Sequence, residues 1–230
     1  MTSHLVKPPK RRCINCRMDI LLCVCEFIKP LENKTQLSVY IHSQEIAKPS
    51  NTGHLACKAI KNSTLTVRKG APSSVEFVRE LITEHKKQET QLFVLYPDAS
   101  APTISQRLEN TEAKLNRNLI VVDGTWKQAE RILQNELNEL SDFHVRLSPE
   151  NHSKPMADLW REPIEGGLAT FEAILWAFAE LEPELDLQLA YKLLKIRSER
   201  LKWLRGWLTE DELSFPIPEL AVKNRKFLAG

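Results

Sequence analysis

The chain has 230 residues, 42% hydrophobic and 27% charged, which is enough for one full core with a small appendage and too little for two large domains. With 32 basic and 30 acidic side chains the formal charge is +2, so overall charge alone does not announce a polyanionic partner. The opening M-T-S-H-L-V-K-P-P-K-R-R lacks an apolar signal region, and no stretch approaches the ~20 apolar residues that span a bilayer. Those features point to a cytoplasmic protein with no membrane partner and no evident obligate protein partner.

The charge is unevenly spread. Lys7, Lys10, Arg11, Arg12, Arg17 and Lys29 crowd the first 30 residues, and six basic groups lie between 192 and 205. Within the head, Cys13-x2-Cys16-x6-Cys23-x-Cys25 supplies four thiols, which in a reducing compartment favours a metal over disulfides. Four thiolates fill the tetrahedral shell of Zn2+, so the ion is expected to be structural, holding Lys10, Arg11 and Arg12 as a basic surface suited to phosphates. Cys57 stands apart and reads as a small buried hydrophobe.

Beyond the head, strand-like runs alternate with helical patterns, the mark of an α/β domain with a largely parallel sheet. Strands are predicted at Leu37 to His42, Leu65 to Arg68, Leu92 to Tyr96, Leu119 to Asp123 and His144 to Leu147. Helical spacing of apolar residues covers Val75 to Ile82 and Trp126 to Leu140. Residues 148–169, with Pro149, Pro155, Pro163 and Gly166-Gly167, read as a long irregular segment. Helices are expected again over Thr170 to Leu181 and Leu187 to Leu208, and the end from Phe215 reads as irregular. The predicted organisation is a zinc-binding basic head (1–30), a main α/β domain (31–210) and an irregular tail (211–230).

The segment L-I-V-V-D-G-T-W-K-Q runs from a buried strand into a helix, the place where open α/β sheets bind ligands. Thr125 with Gln128 fits a capping box, and Gly124 permits close approach of a ligand to the backbone. Asp123 projects from the strand end either as a functional carboxylate or as a turn-former, and Trp126 fits core packing as well as a site.

D-G-T-W at 123–126 resembles the D-x-T-W signature of the DTW-domain family, and other segments match it in order. The cysteine head is similar to the family's opening, I-H-S-Q-E (41–45) and S-N-T-G-H-L (50–55) to its H-x-x-E and T-N-T-G-R-L, and L-Y-P-D-A (95–99) to its Y-P motif. W-R-E-P and G-L-A-T-F-E-A (160–173) resemble its R-x-x-P and S-T-L-E-A pair. Departures are Asp19, Ser50, His54, Trp160, Ala169 and Phe171, and His54 stands where the family has arginine.

The resemblance implies a SPOUT-like, knotted α/β fold of the TDD superfamily. It also implies transfer of the 3-amino-3-carboxypropyl group of S-adenosylmethionine to N3 of a tRNA uridine, in the variable loop, releasing methylthioadenosine. Leu95, Tyr96, Pro97, Gly124, Thr125, Trp126, Leu168, Thr170 and Glu172 are then expected to bind the donor, with Asp123 as base or positioning group. Lys10, Arg11, Arg12, Asn51, Thr52, His54, Arg161, Arg197 and Arg200 are the expected RNA contacts. Arg197 falls inside the apolar arc of its helix, which a buried ion pair explains as well as a phosphate does. The rival readings are a SPOUT methyltransferase, separated by product mass, and a non-catalytic zinc-knuckle RNA-binding protein, separated by donor binding.

Overall fold

The computed structural model describes residues 12–46, 48, 51–88, 90–109, 116–148 and 168–228. Five strands form one all-parallel sheet: β1 (Gln36–His42), β2 (Ser63–Arg68), β3 (Gln91–Leu95), β4 (Arg117–Asp123) and β5 (His144–Val145), in the order β2-β1-β4-β3-β5. All five expected strands are present. The helices are α1 (Gly53–Ala59), α2 (Ala71–Gln88), α3 (Ile104–Glu109), α4 (Trp126–Asn135), α5 (Thr170–Leu181), α6 (Gln188–Leu204), α7 (Glu219–Lys223) and α8 (Arg225–Leu228).

Alternation along the strands sends side chains into two cores. Leu37 and Val39 of β1, Phe93 of β3, and Leu119 and Val121 of β4 meet α1, α5, α6 and the cysteine head on one face. Tyr40, Leu92, Val94 and Ile120 meet α2, α4 and the 3-10 segment after α4 on the other. Both faces are covered, as a parallel sheet requires, so the central strands are apolar nearly throughout. Cys16, Met18, Leu22 and Val24 belong to the first core, and the head therefore packs as part of the domain. Cys57 is partly buried against the same core.

Three differences from the sequence expectation have local causes. The helix after Asp123 ends at Asn135, and Leu137 and Leu140 reach the core from the 3-10 segment Asn138–Phe143. The helices α1 and α3 are only 7 and 6 residues long, too short to show a period. The last 20 residues include α7 and α8, where Ala221 is buried and the Arg225 guanidinium donates to the Trp203 carbonyl. The irregular segment expected at 148–169 lies almost wholly outside the described residues. Among the described residues no helix is long and apolar enough to cross a membrane.

The chain order places a topological switch between the neighbouring strands β1 and β4. From β1 the chain turns to β2 on one side, and from β4 it crosses to β5 on the other. Ligand crevices in open α/β sheets form at the carboxyl ends of such strands, here His42 and Asp123.

Candidate active site and metal centre

Asp123 closes β4 and is almost fully buried. Its Oδ1 accepts from the Thr170 hydroxyl at 2.6 Å, its Oδ2 accepts from Asn51 Nδ2 at 2.5 Å, and the Gly53 amide also donates to the carboxylate. Burial raises its pKa, although the hydrogen bonds from Thr170, Asn51 and Gly53 oppose that shift. The carboxylate thus joins three segments that are distant in sequence: the strand end, the start of α1 and the start of α5.

Asn51 is used on every polar atom of its side chain. Besides donating to Asp123, it accepts through Oδ1 from the His54 amide (3.3 Å) and pairs with His54 Nδ1 (3.0 Å). Its carbonyl accepts from Arg197 Nη2 at 2.6 Å. Thr52 Oγ1 accepts from the Phe171 amide at 3.2 Å, so α5 draws one of its terminal N–H partners from the start of α1. Burial lowers the His54 pKa to about 3, and the nearby positive charges of Arg17, Arg197 and Lys58 act in the same direction. His54 is a neutral side chain packed beside Arg197, whose own pKa burial lowers to about 10.

Of the residues expected to contact RNA, Asn51, Thr52, His54, Arg197 and Arg200 are buried and hydrogen-bonded or packed within the interior. Arg200 donates to the Cys23 carbonyl, lies 3.6 Å from Glu26 and stacks over the Phe27 ring, tying the head to α6. Arg197 is fully buried, and its guanidinium donates to the Asn51 backbone carbonyl. Arg12 is exposed, while Lys10, Arg11 and Arg161 lie outside the described residues.

The expected donor-binding positions line the carboxyl edge of the sheet. Leu95 ends β3, Tyr96 is half-buried against the His144 ring, and Pro97 is exposed. Gly124 and Thr125 form the turn after β4, and the capping box is present: Gln128 Oε1 accepts from the Thr125 amide at 2.8 Å, and Thr125 Oγ1 from the Gln128 amide at 3.4 Å. Trp126 is half-buried and is not among the described members of either core. Leu168 and Thr170 are half-buried at the start of α5, and Glu172 is buried one turn in. Sequence reasoning missed the bond between Asn51 and Asp123; the only signal was that both lie in segments resembling one family.

The four head cysteines bring their sulfurs within 4.8 Å of one another. Cys13 and Cys25 are 3.5 Å apart and Cys16 and Cys23 are 3.6 Å apart. A tetrahedral ion with bonds of about 2.3 Å sets its sulfurs about 3.8 Å apart, close to the two pair distances, so the chemistry and spacing of the set suit Zn2+. Arg17, directly after Cys16, has φ 61°, a left-handed conformation that costs a side-chain-bearing residue about 1–2 kcal/mol. That turn lets Cys13 accept from the Arg17 amide and donate to the Met18 carbonyl, curling the backbone around the sulfurs. Bound there, zinc supplies cross-linking of the head and leaves no open coordination position.

Fold and site together define an α/β protein with a parallel sheet, a four-cysteine cluster able to hold a metal ion and a buried carboxylate joining three segments at the strand ends. A DTW domain matches residues 10–205, and the chain belongs to the DTW-domain family. It is similar to the tRNA-uridine aminocarboxypropyltransferase 2 of Macaca fascicularis, 28% identical over 162 residues, covering 64% of this chain and 53% of that protein. The Mus musculus protein of the same name is 27% identical over 163 residues, covering 65% and 53%. The chain therefore matches about half the length of these curated relatives. No solved structure matches it.

Proposed function

We propose that this chain moves the 3-amino-3-carboxypropyl group of S-adenosylmethionine to N3 of a tRNA uridine, in the variable loop. The reading is carried by the convergence at Asp123: segments resembling three separate family motifs, around Asn51, Asp123 and Thr170, are hydrogen-bonded to one carboxylate. In the transfer a bond forms between N3 and the γ-carbon, the bond from that carbon to sulfur breaks, and the N3 proton leaves. The sulfonium supplies the electrophilic carbon and departs as a neutral thioether. With both oxygens already accepting hydrogen bonds, Asp123 is better suited to positioning the site and to facing positive charge than to taking the proton. Trp126 and Tyr96 offer aromatic faces at the same edge.

Within this reading residues 31–210 form the catalytic unit, with the SPOUT-like, knotted arrangement the resemblance implies. Residues 1–30 carry zinc and the basic head, 211–230 brace α6, and the protein works in the cytoplasm on tRNA. The test is incubation of the protein with tRNA and S-adenosylmethionine, followed by nucleoside mass spectrometry. A uridine heavier by the whole amino-acid arm supports the reading. A uridine heavier by one methyl group assigns a methyltransferase instead, and no change with intact donor binding refutes both.

A further inference from the structure

On the face of the sheet opposite the cysteine head, a cleft of about 430 Å³ opens at the carboxyl edge. Its walls come from the last residues of β1 and β2, His42 and Arg68, and from one side of α4, namely Lys127, Gln128, Arg131 and Glu136. Arg68 is committed to Glu136: its Nε lies 2.9 and 2.8 Å from the two carboxylate oxygens and its Nη2 lies 2.5 Å from Oε1. Ser74 donates to the same carboxylate, so that acid is fully engaged. Lys127 and Arg131 lie one helical turn apart on α4, are both exposed, and have no salt bridge among the described residues. Three cations against one carboxylate leave the cleft with an excess of two positive charges.

The cleft adjoins the Asp123 turn. A β-carbon on Gly124 would lie 3.3 Å from Gln128 Oε1 and 3.6 Å from the His42 β-carbon, so two lining residues touch the turn itself. An anion in the cleft is thus beside the turn that follows Asp123.

We infer that this cleft binds the phosphodiester backbone of the RNA substrate, with Lys127 and Arg131 as the contacting cations and the Arg68–Glu136 pair as its rigid floor. The inference rests on the proposed tRNA substrate and adds to it a surface unlike the one the sequence suggested. Long cations on an exposed helix face contact phosphates without reading bases, so they set where the strand lies and not which nucleotide is chosen. A strand held in the cleft crosses the carboxyl edge next to β1 and β4, which delivers a base to the switch point.

The experiment measures binding of unmodified, transcribed tRNA across a salt series for three proteins: wild type, the double variant Lys127→Gln/Arg131→Gln, and the control Lys86→Gln/Lys87→Gln. The control removes the same charge near the end of α2, at the opposite edge of the sheet. The cleft variant is expected to bind about tenfold more weakly near 0.15 M salt, with the slope of log affinity against log salt lower by about 1.5. The control should leave the slope unchanged, and thermal melting should show both variants folded, since all four side chains are exposed. Equal losses in both variants, an unchanged slope in the cleft variant, or no tRNA binding by wild type overturns the inference. Product analysis reads the activity separately. Wild-type protein that binds tRNA through the cleft yet modifies nothing overturns the proposed reaction and leaves the cleft standing.

Discussion

Gly53 and Asp123 are so close that a β-carbon on the glycine would lie 2.2 Å from the aspartate Oδ2 and 2.7 Å from its Cγ. The contact is possible only because residue 53 has no side chain, and it lets the first amide of α1 reach the carboxylate. The aspartate cannot retreat, because its other oxygen is held by Thr170.

Gly53→Ala should therefore destabilise the protein by about 1–3 kcal/mol, as overpacking of a tight interior does, with a fall of several degrees in thermal midpoint. Donor binding should weaken with it. An alanine variant as stable as wild type would show that the start of α1 shifts freely and that the Asp123 cluster is not rigid.

Asp123→Asn changes one acceptor oxygen into a donor while Asn51, Thr170 and Gly53 still point donors at it. At least one buried donor loses its partner, at a cost of about 1–3 kcal/mol. Transfer should fall by about 10²-fold or more. Stability and rate are measured on the same preparation, and turnover close to wild type would reduce Asp123 to a structural brace.

Arg197→Met should lower stability by about 1–3 kcal/mol by leaving the buried Asn51 carbonyl without its partner, with no effect on the salt dependence of tRNA binding. Because Arg197 is fully buried, a flattened salt slope in this variant would contradict the interior role assigned to it.

Metal analysis should find one zinc per chain, and Cys23→Ser should lower both zinc content and thermal stability. The loss should extend beyond the head, because the Cys23 carbonyl is the acceptor for Arg200 of α6. Stoichiometric zinc in a variant lacking both Cys23 and Cys25 would sink the assignment.

Hydrogen bonding to Arg68 lowers the Glu136 pKa, outweighing the opposing effect of burial. A carboxyl depressed in the folded state contributes stability that is complete above its unfolded value of 4.5 and is lost as pH falls through the lowered folded value. Wild type should exceed Glu136→Gln by about 1–3 kcal/mol in urea unfolding at pH 7. The gap should close below pH 4.5, and a gap constant down to pH 3 would mean that the pair's charge is irrelevant.

The strands β1, β3 and β4 were legible as short apolar runs bounded by polar or turn residues, β2 by the alternation of Leu65 and Val67, and α5 was placed to the residue by its dense apolar content. The metal ligands were legible because thiol spacing reports its own chemistry. Arg197 already fell inside the apolar arc, which left a buried role open, but the burial of Arg200 was not legible, since a charged residue reads as outward-facing and here α6 is enclosed by the head on one side and α5 and the tail on others. The burial of His54 was hidden for a related reason. An ionisable residue near a family motif suggests a ligand contact, whereas burial beside Arg17 and Arg197 keeps it neutral and internal. The basic cleft was invisible because its cations come from β2 and α4, which nothing in the sequence juxtaposes.

The pairing of β1 with β4 sets an order of assembly. Gln36 partners Asn118 and Ile41 partners Asp123, so the centre of the sheet closes only across a separation of 82 residues, more than a third of the chain. High contact order of this kind slows folding, because loop closure must precede the contacts that reward it. During synthesis the first two strands can associate early, but the aspartate waits for Thr170. The carboxylate cluster is thus completed late, and a nascent chain arrested before α5 would carry the strand end without the partner that holds it.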